Sequence, residues 1–246
     1  MIVDYLGHSG FLVETDHALM LFDYYVGDLS LIDEKPGDKP LFVFASHIHA
    51  DHFQPKIFGL SGHGRKARFL LSDDIRGSAS VPDDADVLFL KPDREYEIPE
   101  LGTVRTLLST DEGVAFLIKT GNETVYHAGD LNWWDWEGED PAWLADQERI
   151  YKREIGCLSE ERIDAAFVVL DDRLENNYAE GMEWFLSACK ADYVFPMHFW
   201  NDRDLIGRFA AEHETSKTGT KMINTAGDRT HWILPRNRKG ENGHAV

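Results

Sequence analysis

The chain has 246 residues, 43% of them hydrophobic, which suits one large domain with a sizeable core better than two small ones. With 25 basic against 44 acidic side chains, its formal charge of −19 repels polyanions at long range and argues against a nucleic-acid partner, a local basic patch aside. No apolar run reaches the roughly 18 residues that span a bilayer, the start Met1-Ile2-Val3-Asp4 has no export-signal character, and Cys157 and Cys189 share no CxxC spacing, so a cytoplasmic protein without a disulfide framework or membrane association is expected.

In chain order, residues 1–6, 11–15 and 18–22 read as short strands, with turns at 7–10 and at Asp16-His17. Residues 41–45 form a continuous apolar run, the pattern of a strand buried on both faces. Further strands are expected at 68–71, 86–90, 104–108, 114–119 and 124–127, and residues 59–66 read as a loop. Pro141 after Asp140 opens a helix over 141–155, and 165–170 is a buried strand. Met182, Phe185, Leu186 and Cys189 stand at helical spacing within 179–190. A short strand at 193–195, a helix at 205–212 and a last strand at 232–234 complete a single domain over 1–234, and the polar tail 235–246 is expected to fray. Each half has one strand running into Asp (Asp23, Asp130) and one leading into His (His47, His198). Two mixed sheets carrying paired loops to one rim, with outer helices, would explain that echo as a four-layer α/β sandwich of αββα type.

The chemistry concentrates in His47-x-His49-x-Asp51-His52, directly after the apolar run. On an extended loop start, His47 and His49 project to the same side and can share one ion. If the loop then turns into a helix, Asp51 and His52 face a neighbouring point. Imidazole and carboxylate suit zinc, iron and manganese, and three crowded imidazoles beside an acid are a poor description of an ordinary surface loop.

This motif resembles the signature of the metallo-β-lactamase fold superfamily, and other segments follow in the order of its lactonase-like branch: Gly7-His8-Ser9-Gly10-Phe11, Leu21-Phe22-Asp23, Tyr126-His127-Ala128-Gly129-Asp130 and Phe195-Pro196-Met197-His198. The resemblance implies one or two divalent metals, zinc first with manganese or iron as alternatives. It places His47 and His49 on one ion, Asp51, His52 and His198 on the other, and Asp130 between them. Asp23 would orient a ligating imidazole from behind. One ligand departs from the family's pattern, because its third-motif histidine falls on Ser109. A substitute (Asp111, Glu112 or His8), water in the vacant position, or a single ion at the second position all remain open.

Trp133 and Trp134 adjoin Asp130 and, with the aromatic pair after His198, could wall a substrate pocket; packing over the core is the ordinary alternative. Arg173 could bind an anionic group or simply pair with Asp171 and Asp172. His8 reads as structural or substrate-binding, and His127 as structural. The expected function is hydrolysis of a small ester, lactone or phosphoester by metal-activated water, with Asp51 as the catalytic carboxylate. An iron-dependent oxidoreductase and a non-catalytic metal-binding protein are the rival readings. The sequence leaves the substrate, the metal and the oligomeric state unassigned.

Overall fold

A computed structural model describes residues 1–62, 66–213 and 219–235. The expected tail past residue 235, and residues 63–65 of the expected loop, lie outside the described residues. The first half consists of β1 (Ile2–Gly7), β2 (Gly10–Glu14), β3 (Leu19–Phe22), β4 (Leu41–Ala45), β5 (Ala67–Ser72), β6 (Val87–Leu90), β7 (Arg94–Ile98), β8 (Gly102–Leu108), β9 (Val114–Thr120) and β10 (Glu123–His127). The second half alternates α1 (Pro141–Gly156), β11 (Arg162–Val169), α2 (Glu180–Ala188), β12 (Lys190–Met197) and α3 (Leu205–Glu212), then ends on β13 (Lys221–Met222) and β14 (His231–Ile233).

These strands form two mixed seven-stranded sheets, ordered β14-β1-β2-β3-β4-β5-β6 and β13-β12-β11-β10-β9-β8-β7. Period-2 alternation sorts each strand between two cores. On β4, Phe42 and Phe44 face the second sheet, while Leu41, Val43 and Ala45 join Phe53 and Ile57 on the outer face, so the strand is buried on both sides. Rings close the gap between the sheets, with Phe11 on Phe167 at 4.3 Å and Phe44 on Phe116 at 5.2 Å between centroids. α1 and α2 cover the second sheet, as in the stacking of Tyr126 on Phe185. Over the first sheet the outer layer is built of short 3-10 segments (Leu29–Ile32, Pro55–Gly62, Asp73–Ile75) rather than α-helices. Residues 59–62, read as loop, belong to the second of these.

Strand direction decides where the loops gather. β3, β4, β5 and β6 run parallel, as do β10, β11 and β12, so within each sheet their C-terminal ends share one edge. The sheets are pinned together at that edge: Val114 N–H donates to Ser46 O at 2.9 Å and the His127 ring to Ser9 O at 2.9 Å. α1 begins where expected, because Asp140 caps it by accepting from the N–H groups of Ala142 and Trp143 ahead of Pro141. Two edge strands, β7 and β13, were not foreseen, and β12 extends well beyond 193–195. Cys189 leaves α2 in an extended conformation and packs into the core. Among the described residues no helix is long and apolar enough to cross a membrane.

Candidate metal centre

Each side chain at this edge is delivered by the residue that follows a parallel strand. Asp23 follows β3, Ser46 and His47 follow β4, and Asp171 and His198 follow β11 and β12 closely. After His47 the chain makes a hydrogen-bonded turn rather than a helix, with the N–H groups of His52 and Phe53 both donating to His49 O. The turn swings His49 toward His47, Nδ1 to Nε2 at 2.9 Å, and brings Asp51 and His52 back over the strand end. Two groups of donor atoms result, each within 4.8 Å of one another: His47, His49, Asp111 and Asp130 in the first, and His8, Asp51, His52 and His198 in the second. Asp130 joins them, its Oδ2 3.6 Å from His47 Nε2 and its Oδ1 3.1 Å and 3.4 Å from the Nε2 atoms of His52 and His198.

Buried carboxylates fix the imidazoles from behind. Asp23 can only accept, so His52 donates from Nδ1 (2.7 Å), and Ser46 donates to the same carboxylate from its N–H and Oγ. His198 Nδ1 donates likewise to Asp171 at 2.8 Å. Both rings therefore turn Nε2 into the centre. Burial alone would lower His198, but Asp130 and Asp171 outweigh it and push it up to about 9. Burial would also lower His52, which Asp130 and Asp23 hold well above the ordinary histidine value. Burial, helped by the charge of His52, pushes His47 down to about 4. Without a cation, protons on His52 and His198 balance the buried Asp130.

His52 Nε2, His198 Nε2 and Asp130 Oδ1 are buried and have no aligned hydrogen-bond partner. Such orphaned polar atoms are costly unless something else satisfies them. Their separations match the edge of a tetrahedron of ligands around a divalent ion, about 3.3 Å for bonds near 2.0 Å. The donor set fits a metal. Backbone strain is concentrated here too: His8, Asp23, His198 and Trp200 all have φ between 39° and 67°.

The model of the beta-lactamase superfamily domain matches residues 2–135. The chain belongs to this superfamily. Over 234 residues it is 26% identical to a UPF0173 metal-dependent hydrolase of Opitutus terrae, covering 86% of this chain and 92% of that protein. Among solved structures it is similar to a metallo hydrolase of the archaeon Ignicoccus hospitalis (TM-score 0.65, 16% identity, 95% of this chain and 99% of that one). It is also similar to CmlA, a diiron beta-hydroxylase of Streptomyces venezuelae (TM-score 0.58, 15% identity, 94% and 53%). At these identities the two structures share the fold.

In this member of the beta-lactamase superfamily, the structure narrows several readings that the sequence left open. His8, one of the three substitutes left open, stands in the second group, its Nε2 3.1 Å from Asp51 Oδ2. Glu112 lies 3.7 Å from Nε2 of His49, the nitrogen opposite the one used in the first group. Ser109 is buried and its Oγ accepts the N–H of Asp111 at 3.2 Å. Trp133 does not line the cavity at the centre; its ring carries Lys152 Nζ at 4.1 Å. Trp134 does line that cavity, of about 240 Å³, with Trp136, Trp143 and Trp200. Arg173 both pairs and lines it: its Nε and Nη2 donate to Asp171, and Trp136 and Trp200 flank its guanidinium at 5.6 Å and 5.2 Å. His127 is structural, stacked on Phe22. Sequence reasoning missed Trp143, which comes from α1, and the role of Asp171, although a strand ending in Asp was the signal already read at Asp23.

Proposed function

We propose that this protein hydrolyses a small anionic ester, lactone or phosphoester at the floor of the tryptophan-walled cavity. As a member of its superfamily the chain is a metal-dependent hydrolase; the substrate class and the residue roles are the added reading. The carrying observation is the convergence of His52 Nε2, His198 Nε2 and Asp130 Oδ1, buried and unsatisfied, at the base of an open cleft. A bound divalent ion, zinc first, supplies Lewis acidity that brings the pKa of water toward neutrality and polarises a substrate oxygen.

The chain's own groups do the rest. Burial raises Asp51, but the hydrogen bond from His8 and the charge of His52 hold its carboxyl well below the usual carboxylate range. Asp51 therefore stays ionised at neutral pH and acts by accepting a hydrogen bond from water at the cavity floor, fixing its direction, rather than by storing a proton. Arg173 is the one Arg or Lys side chain lining the cavity among the described residues. Its seat between two indoles and Asp171 leaves Nη1 to meet a substrate carboxylate or phosphate. Since Asp171 also holds His198, one carboxylate sets the distance between the anion anchor and the reacting centre. The cavity is smaller than the ~300 Å³ lower end for drug-sized sites, which favours a compact substrate.

The test is a panel of lactones, carboxylic esters and phosphodiesters in anionic and neutral versions, run on zinc- and manganese-loaded protein. Turnover is expected for anionic members, lost on chelation and restored by metal. Asp51→Asn should lower kcat about 10²–10⁴-fold, and Arg173→Gln should raise KM for anionic substrates about tenfold while sparing neutral ones. A fully loaded protein inert toward the whole panel, or one that consumes dioxygen with iron bound, would overturn this reading.

A further inference from the structure

We infer that Asp111 takes the place of an imidazole as a ligand of the first metal position. This makes that position a two-imidazole, two-carboxylate site that discriminates less between zinc and manganese than the second position does. The inference rests on the metal-dependent reading above and deepens it.

The donors are explicit. Asp111 Oδ2 lies 3.6 Å from His49 Nδ1, which lies 2.9 Å from His47 Nε2, which lies 3.6 Å from Asp130 Oδ2. The four residues' ligand atoms fall within 4.8 Å of one another. An acidic turn beside histidines is common without an ion, and here a second observation separates the cases. His47 and Asp130 are both buried, with Oδ2 of Asp130 turned to His47 Nε2 while its other oxygen, Oδ1, lies unsatisfied in the second group, so Asp111 completes a set of donors that shares a carboxylate with that second position.

The loop that carries Asp111 is fixed to the frame that carries the other ligands. Thr110 Oγ1 donates to Asn132 O at 2.6 Å and accepts the Asn132 N–H at 3.0 Å, tying the loop to the segment after Asp130. Val114 N–H reaches Ser46 O beside His47. Gly113 sits at φ +69°, where an added Cβ would come 2.0 Å from Ser46 O. Ser109 Oγ accepts the Asp111 N–H and so aims the next acid toward His49.

The consequence for metal choice follows from the donors. Carboxylate oxygens suit manganese better than imidazole nitrogens do, and imidazole suits zinc. The first position offers two of each. The second has three imidazoles (His8, His52, His198) with Asp51, plus the shared Asp130. The first is also the more open: the side chains of His49 and Asp111 are 46% and 40% exposed, whereas those of His52 and His198 are buried.

The experiment uses chelator-treated full-length protein titrated with Mn²⁺ and Zn²⁺, with bound metal read by elemental analysis and Mn²⁺ by electron paramagnetic resonance. The unsubstituted chain should bind two ions, the weaker showing the smaller zinc-to-manganese affinity ratio. Asp111→Asn keeps the turn's N–H and should weaken that ion at least about 10–100-fold, leaving the tighter one unchanged. Asp111→His should retain two ions and raise the zinc-to-manganese ratio of the weaker one, which keeps the test decisive if Asp111→Asn folds poorly. Glu112→Gln should change neither. Two ions bound with unaltered affinities in Asp111→Asn would overturn this inference alone. No metal bound by the unsubstituted protein would remove the hydrolase reading along with it.

Discussion

At the scale of single residues, the metal-free centre stores protons where a cation is expected. His198 is pushed up to about 9 from the ordinary histidine 6.5, and His47 down to about 4. Between pH 4 and 6.5 the unfolded chain binds more protons at His47 than the folded one, so stability rises with pH. Between 6.5 and 9 the folded chain holds the extra proton on His198, so that contribution is lost as pH climbs. Thermal unfolding of chelator-treated protein should therefore show its highest midpoint near pH 6.5, and a flat profile from 5 to 9 would contradict these assignments. Metal uptake must displace the protons on His198 and His52. Calorimetry in two buffers of different ionisation enthalpy should detect net proton release at pH 7. Asp171→Asn, which loosens the orientation of His198, is expected to weaken metal binding about 10–100-fold.

At the scale of elements, what could be read in advance was whatever apolar patterning controls. Leu41–Ala45 and Leu205–Glu212 have the bounds expected, because one is buried on both faces and the other presents a sharply segregated apolar stripe. Arg94–Ile98 escaped notice because Arg-Glu-Tyr-Glu-Ile is an edge strand with mostly exposed side chains, held by backbone pairing to β8. Lys190 to Asp192 extend β12 for the same reason, pairing with β11 through main-chain groups that leave no trace in side-chain pattern. In the centre, His47 to His52 were legible from spacing alone. Asp171 and Trp143 were not, since what brings them there is tertiary, a strand end and a helix face, and Asp111 stood as one of three open substitutes that only the loop stitched to Ser46 separates. Gly113 shows how tightly that loop is seated. Gly113→Ala would drive a Cβ to 2.7 Å from that of His47, on a backbone conformation L-residues rarely adopt. It should cost about 2–4 kcal/mol in chemical denaturation and lower metal content; a loss under ~0.5 kcal/mol would mean that the loop yields.

At the scale of the whole molecule, the centre is a clasp between two sheets. His47, His49, Asp51 and His52 come from the first, and Asp111, Asp130 and His198 from the second. A cation held by both should join the sandwich along one edge, so chelation is expected to lower stability by about 2.7 kcal/mol relative to metal at a hundred times its Kd. Hydrogen exchange should loosen at the loops of both sheets at once. Protection lost on one side only would show that the ion does not bridge them.

The left-handed residues at that rim put endurance and chemistry at odds. Glycine would relieve the backbone of His8, Asp23, His198 and Trp200 by roughly 1 kcal/mol apiece, but the first three are buried and hydrogen-bonded, so only the exposed Trp200 can take the change without a larger loss. A library selected for heat resistance with no demand for turnover should thus accept glycine at position 200 while keeping residues 8, 23 and 198, and its hardiest survivors should be the ones that have lost a wall of the cavity.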